Sequence, residues 1–141
     1  MFKQISVSLD NRPGELYGIS DMLRDEGVTI LAIASDTEAD TSEVRLVVDD
    51  PQKAQAVCES RGYTVTVRPV LAVAVPDHPG GFNSVFKPLK DEAVNVLYVY
   101  PFMGRFREET VLAIGVDQTE KAIEVLGRNY ILVLSKESYS V

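Results

Sequence analysis

The order of apolar and polar residues predicts two successive runs of the same structural elements. Near the start, Ile5, Val7 and Leu9 alternate with polar residues, the period expected of a strand with one buried face. Between Leu16 and Leu23 the apolar residues fall three and four apart, which predicts a helix over residues 14–26. The rest of this half predicts a strand at 28–35, a hairpin loop at 36–42, a strand at 44–48, a helix from 50 to 62 and a strand at 63–68.

The second half of the chain repeats this order at an offset of about 66 residues. Residues 11–16 lie opposite residues 77–82, and both segments contain a Pro-Gly step that ends a strand. Asp117 is predicted to cap the last helix. The predicted elements of this half are a strand at 71–75, a helix from about 82 to 89, strands at 94–100 and 110–116, a helix at 118–128 and a strand at 130–134.

This order predicts an α+β fold made of two ferredoxin-like βαββαβ units in tandem. Each unit would carry two helices on one face of a four-stranded antiparallel sheet. We expect the two sheets to pair side by side into one continuous eight-stranded sheet, because a unit of this size has a marginal core alone. The predicted domains are residues 1–69 and 70–141.

Composition and charge exclude several classes of function. A net charge of -7 argues against a nucleic-acid partner, and no apolar run is long enough to predict a membrane span. The first residues do not resemble a signal peptide, so a cytoplasmic protein is expected. Cys58 and His78 are the only residues of their types, which leaves no internal disulfide and predicts no metal site. No cofactor is expected.

The Pro-Gly turn of the first unit is the strongest candidate for chemistry. Backbone N–H groups at the start of a helix attract an anion such as an α-carboxylate, and Gly14 would let a ligand approach the backbone. Asn11 could contact either an ammonium or a carboxylate group. The alternative is that Pro13-Gly14 merely makes a turn.

The segment Asn-Arg-Pro-Gly-Glu-Leu at residues 11–16, after an alternating strand and before Gly-Val-Thr-Ile at 27–30, resembles the ACT domain. That resemblance extends over both repeats and implies a regulatory module that binds a free amino acid. It implies ligands held at the interface between the turn of one unit and the second strand of its neighbour. The turn residues it implies in the first unit are Leu9, Asn11, Arg12, Pro13, Gly14 and Glu15.

In related domains an Asn often opens the second strand and contacts ligand across the interface. That position is Asn95 in the second unit and Thr29 in the first. The resemblance therefore implies one site that combines Asn11 with Asn95 and a less typical one that combines Asp77 with Thr29. His78, Gly80 and Gly81 complete the second turn, where Gly81 is expected to keep the turn open and His78 could donate to a ligand carboxylate.

The expected function is a non-catalytic sensor that forms a homo-oligomer, a dimer, and acts on a separate enzyme. No catalytic residues are predicted, since a Ser-His-Asp set could arise only through His78. Two alternatives stay open, a structural adaptor subunit without ligand and an acylphosphatase-like enzyme that binds phosphate through Arg12. An apolar cluster of Tyr98, Tyr100, Phe102 and Met103 could be sheet packing, a dimer contact or a ligand-pocket wall.

Overall fold

The computed structural model describes residues 1–139, which form four helices and seven strands. In chain order these are β1 (Phe2–Asp10), α1 (Glu15–Asp25), β2 (Ile30–Glu38), β3 (Thr41–Val48), α2 (Pro51–Ser60), β4 (Val65–Val75), α3 (Gly81–Asp91), β5 (Val96–Phe106), β6 (Glu109–Val116), α4 (Thr119–Arg128) and β7 (Val133–Leu134). The chain divides into two compact units. The N-terminal unit is Lys3–Arg68, and the C-terminal unit runs from Pro69 onward and includes Met1–Phe2.

The N-terminal unit carries both of its helices on one face of an antiparallel sheet. Strand β3 lies between β1 and β2, with Ile5 opposite Leu46. The alternate residues of these strands enter one core with the apolar stripes of α1 and α2, which confirms the periodicity argument. That core contains Ile5, Val7, Leu9, Ile19, Met22, Leu23, Val28, Val44, Leu46, Val48, Ala54 and Cys58.

The C-terminal unit repeats this arrangement. Strand β6 lies between β4 and β5, and β7 pairs with the other edge of β4, all antiparallel. Leu71 lies opposite Ile114, so the same alternation builds the core beneath α3 and α4. This core contains Leu71, Val73, Val75, Val85, Leu89, Val94, Leu112, Ile114, Ala122, Val125 and Leu126.

The prediction of eight strands in one continuous sheet is wrong, because residues 1–139 contain seven. The two strands expected on either side of residues 69–70 form a single strand, β4, which passes through Pro69. A proline lacks the backbone N–H that a central ladder position needs, so the sequence favoured a break there. Pro69 is exposed, and the regular pairing of β4 with β6 begins after it, at Leu71.

The polar loop predicted at 36–42 is also wrong, because β2 and β3 continue through it to a two-residue turn at Ala39 and Asp40. Polar cross-strand pairs replace the apolar contacts from which strands are usually recognised. The hydroxyls of Thr37 and Ser42 are 2.7 Å apart, and the strand pairing runs to the last residue before the turn.

The second hairpin extends beyond its predicted end in the same way. Strand β5 continues to Phe106, and Arg107 and Glu108 form the turn with φ angles of 49° and 68°. Positive φ at both central residues is the geometry of a type I′ hairpin turn, usually supplied by Asn or Gly. The turn residues are instead Arg107 and Glu108, so the sequence did not predict a turn at this position.

The end of the C-terminal unit departs from the prediction at two points. Strand β7 is only Val133–Leu134, because Tyr130 has a φ of 62° and terminates α4 instead of starting a strand. The helix cap predicted at Asp117 is wrong, since Gln118 occupies the N-cap position. The carboxylate of Asp117 instead accepts a hydrogen bond of 2.9 Å from the N–H of Asn95.

An aromatic cluster of Phe2, Phe102 and Tyr139 lies in the C-terminal unit. The Phe102 ring meets those of Phe2 and Tyr139 edge-on, at centroid distances of 5.4 and 5.0 Å. The Tyr139 hydroxyl accepts a hydrogen bond of 3.0 Å from the N–H of Gly104. Phe102 thus takes part in packing, whereas Met103 beside it is 72% exposed.

Cys58 provides a probe of the N-terminal core. It is 1% exposed, and burial raises the pKa of its thiol, with a smaller contribution from the Glu59 carboxylate. We expect native protein to react with a thiol reagent at neutral pH slower than urea-unfolded protein by about an order of magnitude or more, because both access and thiolate fraction are low. Equal rates in stopped-flow absorbance measurements would contradict this packing.

Candidate functional site

The strand-to-helix turn of the N-terminal unit depends on a left-handed glycine. Gly14 has a φ of 88° at the N-cap of α1, a conformation that costs a residue with a Cβ atom free energy. No side chain caps this helix. The N–H of Glu15 donates to the carbonyl oxygen of Arg12 at 3.4 Å, and the N–H groups of Leu16 and Tyr17 follow it in the first turn without a side-chain acceptor.

Asn11 joins this turn to the tip of the β2–β3 hairpin. Its backbone N–H donates to the carbonyl oxygen of Asp40 at 2.9 Å, and its side-chain Nδ2 donates to that of Ala39 at 3.0 Å. The amide nitrogen is thus used within the unit. The side-chain carbonyl oxygen of Asn11 can still accept a hydrogen bond from a ligand.

Arg12 is held between two carboxylates. Its Nη2 lies 2.8 Å from Oδ2 of Asp10 and 3.1 Å from Oε1 of Glu15. The guanidinium is 69% exposed, so these pairs contribute little to stability, but they fix its direction. One cation shared by two carboxylates leaves this side of the turn with a net negative charge.

These residues surround one pocket of ≈ 270 Å³ within the N-terminal unit. Of the residues singled out from the sequence, Leu9, Asn11, Arg12, Gly14 and Glu15 line it. The opposite wall consists of strand residues from the hairpin, and the side chains of Leu16 and Tyr17 lie at the start of α1. The pocket is at the lower end of the size range of small-molecule sites, about 300–1,000 Å³.

The turn of the C-terminal unit has the same backbone and different chemistry. Gly80 has a φ of 86° at the N-cap of α3, again without a side-chain cap. Asp77 lies 3.8 Å from Arg105, and Nδ1 of His78 lies 2.8 Å from the carbonyl oxygen of Pro79. Its pocket, of ≈ 390 Å³, is lined by Val75, Pro76, Asp77, His78, Pro79, Phe82 and Thr110.

Gly81 brings the start of α3 close to the end of β4. It is buried, and a Cβ atom at this position would lie 2.0 Å from the carbonyl oxygen of Pro76. The sequence suggested that Gly81 keeps the turn open. Its position indicates instead that the missing side chain allows close packing.

Asn95 and Thr29 occupy corresponding positions just before β5 and β2. The N–H of Asn95 donates to Asp117, and the N–H of Thr29 donates to Asp49 at 2.8 Å. Within each unit they lie at the opposite end of a helix from the Pro-Gly turn, about 16 Å away for eleven residues. The Asn11–Asn95 and Asp77–Thr29 pairs each draw on both units, and they stay predictions.

Asn95 itself lines a shallow groove of ≈ 630 Å³ in the C-terminal unit. Phe86, Leu89, Lys90 and Val99 form its sides. Its open apolar surface contrasts with the polar turn pocket of the N-terminal unit.

Sequence reasoning missed three hydroxyl side chains on the wall of the N-terminal pocket. Ser35 and Thr37 lie on β2, and Ser42 lies on β3. Ser35 was the last residue of the predicted strand at 28–35, whereas Thr37 and Ser42 fell in the predicted loop at 36–42, so no face could be given to those two. The alternation of Ser35 and Thr37 at a period of two was the available signal.

The chain belongs to the ACT domain pair family, whose model matches residues 1–140. It is therefore a tandem of two ACT domains. No curated protein matches the chain.

Solved structures share this fold over nearly the whole chain. Protein BT0572 from Bacteroides thetaiotaomicron is 27% identical with a TM-score of 0.90, over 97% of this chain and 94% of that one. The ligand-free regulatory subunit of aspartate kinase from Thermus thermophilus is 16% identical with a TM-score of 0.66, over 92% and 93%. The same subunit from Thermus flavus gives 15% and 0.61, over 91% and 92%.

The described residues contain neither a membrane-spanning helix nor a group of metal-binding side chains. Within residues 1–139, no helix is long and apolar enough to cross a membrane. The same part of the chain contains no group of three or more His, Cys, Asp and Glu side chains that could hold a metal ion.

Gly81→Ala tests the close contact at the second turn. The added methyl group would meet the Pro76 carbonyl, so we expect a loss of about 1–3 kcal/mol in the free energy of unfolding. Gly127→Ala is the matched control, since that helical position is open and alanine there should be neutral or stabilising by up to about 1 kcal/mol. Urea denaturation followed by circular dichroism measures both, and equal stability of the two variants would refute the contact.

Proposed function

We propose that this protein is a regulatory sensor that binds a free amino acid at the Pro-Gly turn of its N-terminal unit. The observation that carries the proposal is the ≈ 270 Å³ pocket in which Leu9, Asn11, Arg12, Gly14 and Glu15 meet. Membership of the ACT domain pair family supports it, because the resemblance implied an amino-acid ligand at this turn.

The chemistry of the pocket suits both charged groups of an amino acid. The uncapped N–H groups at the start of α1 can receive the carboxylate, and the helix dipole favours it. The ammonium group is suited to the carboxylates of Asp10 and Glu15 and to the Asn11 side-chain oxygen. An amino acid at neutral pH carries both groups, so this pairing of charges supports the ligand class.

A regulated enzyme is the partner class that we propose. Chains of this fold include the regulatory subunits of aspartate kinase from two Thermus species. The ligand would act by favouring one of two arrangements of the protein, and through it one state of that enzyme or of a homodimer. No catalytic role is proposed for the chain itself.

The geometry of Arg12 weighs against the acylphosphatase-like alternative. Nη2 of Arg12 donates to both Asp10 and Glu15, so the guanidinium lies between two carboxylates. Two carboxylates beside it would also repel a phosphate dianion. An assay with acetyl phosphate should give no turnover above background, and turnover lost on Arg12→Ala would favour the enzyme.

Asn11→Ala tests the turn pocket directly. Isothermal titration of the full chain against the twenty amino acids identifies the ligand, and Asn11→Ala should weaken it by about 1–3 kcal/mol. Asn83→Ala, at an exposed position of α3, is the matched control and should bind normally. If none of the twenty bound to the folded protein, the adaptor without ligand would be the better hypothesis.

Asn95→Ala tests whether the ligand also needs the second unit, as the sequence predicted. If Asn95 completes the site, its loss should weaken binding about as much as the loss of Asn11, by about 1–3 kcal/mol. The Asn11→Ala/Asn95→Ala double variant should then show non-additive losses in titration. Unchanged affinity in Asn95→Ala would confine the site to the turn pocket.

A further inference from the structure

Three of the four side chains on the hairpin wall of the N-terminal pocket are small and hydroxylated, and the fourth is the buried Val44. Ser35, Thr37 and Ser42 face the turn residues across the pocket. Thr37 and Ser42 are direct partners across the strands, and their hydroxyls form a hydrogen bond of 2.7 Å. Within residues 1–139 the Ser35 hydroxyl has no hydrogen-bond partner. Each hydroxyl can both donate and accept, so this wall offers unused capacity of both kinds.

The charges around the pocket disfavour an acidic ligand side chain. Asp10 and Glu15 share the single guanidinium of Arg12, so carboxylates exceed cations by one. An additional carboxylate would meet that excess, and the two carboxylates already beside the guanidinium would repel it. A cationic side chain would find no unbalanced carboxylate, because Arg12 and the ammonium group of the ligand together neutralise Asp10 and Glu15.

An aliphatic side chain fits this wall poorly for a different reason. It would remove water from the three hydroxyls without replacing the hydrogen bonds that water makes to them. A hydroxyl or amide side chain restores those bonds at no cost in charge. The pocket volume, ≈ 270 Å³, suits a small amino acid.

The second unit shows that the hydroxyls are not a requirement of the fold. At the repeat positions of Ser35 and Thr37, strand β5 carries Pro101 and Met103, both exposed. The residues that line the second turn pocket are mostly apolar, including Val75, Pro76 and Phe82. The second pocket keeps one hydroxyl, Thr110, which pairs with Val75 as Ser42 pairs with Leu9. The same backbone therefore carries three wall hydroxyls in one unit and one in the other.

Building on the proposed function, we propose that the N-terminal pocket selects a small amino acid with an uncharged side chain that can hydrogen-bond, a hydroxyl or a carboxamide. The hydroxyls of Ser35, Thr37 and Ser42 read that side chain, while the turn holds the ammonium and carboxylate groups. Selectivity is then set by the hairpin, and binding as such by the turn.

Pairs of amino acids with matched shape test this selectivity. L-threonine and L-valine differ by one hydroxyl, and L-asparagine and L-aspartate differ by charge. In isothermal titration of the full chain, we expect at least one uncharged polar member to bind about tenfold more tightly than its partner. Equal or tighter binding of both valine and aspartate would overturn the inference and leave the proposed function standing. Failure of all twenty amino acids to bind would overturn both.

Thr37→Val locates the selectivity on the hairpin. It preserves shape and removes one hydroxyl, so the preference within the selective pair should fall to about threefold or less. Thr66→Val, an exposed change of the same kind on β4, is the control and should retain the full preference. Circular dichroism verifies that both variants fold. A folded Thr37→Val protein with undiminished selectivity, together with the same result for Ser35→Ala, would overturn the assignment.

Discussion

The positive φ of one glycine at each strand-to-helix turn is the constraint on which both units depend. At Gly14 and Gly80 the chain leaves a strand and enters a helix within a few residues, with φ angles of 88° and 86°. This sharp turn lays the helix back across its own sheet, where its apolar stripe can be buried. It also leaves the helix N-terminus uncapped beside the strand end, which is where each turn pocket forms. The glycine turn thus accounts both for the packing of the helix and for the position of the pocket.

The two units show how far one backbone can differ in chemistry. Both units have the same turn and the same helix after it. In both, an aspartate, Asp49 or Asp117, accepts a hydrogen bond from the N–H of the residue just before the next strand. The walls of the pockets correspond less closely. Ser35 and Thr37 of one unit are replaced by proline and methionine in the other, where Thr110 keeps the hydroxyl of Ser42. The backbone conformation is repeated where packing requires it, and the side chains that line the pockets vary.

The sequence predicted the elements whose burial has a clear period. The alternation from Ile5 to Leu9 and the helical spacing from Leu16 to Leu23 each correspond to one buried face, so both were recognised. The first hairpin was predicted, but its strands were ended too early, because Thr37 and Ser42 pair through hydroxyls in a mainly polar segment. Pro69 concealed the continuity of β4, since its exposed position removes the usual cost of proline in a strand.

The residues of the candidate site also fall into those that the sequence predicted and those that it did not. Residues close together in sequence, such as Asn11, Arg12 and Glu15, were expected at one turn because the turn itself brings them together. The hydroxyls come from strands some 20 to 30 residues further on, and only the pairing register assigns them a face. The hydrogen bonds of Asn11 to Ala39 and Asp40 were likewise outside the reach of any local pattern.

Those two hydrogen bonds have a mechanical consequence. Asn11 is hydrogen-bonded to the tip of the hairpin, so the turn would have to break both bonds to shift by itself. A displacement of the turn is therefore coupled to a displacement of the hairpin. The far end of the paired strands lies at Ile30 and Val48, a full strand length from the tip. A small adjustment around the pocket would emerge there as motion of the strand ends, at a distance that no ligand atom reaches.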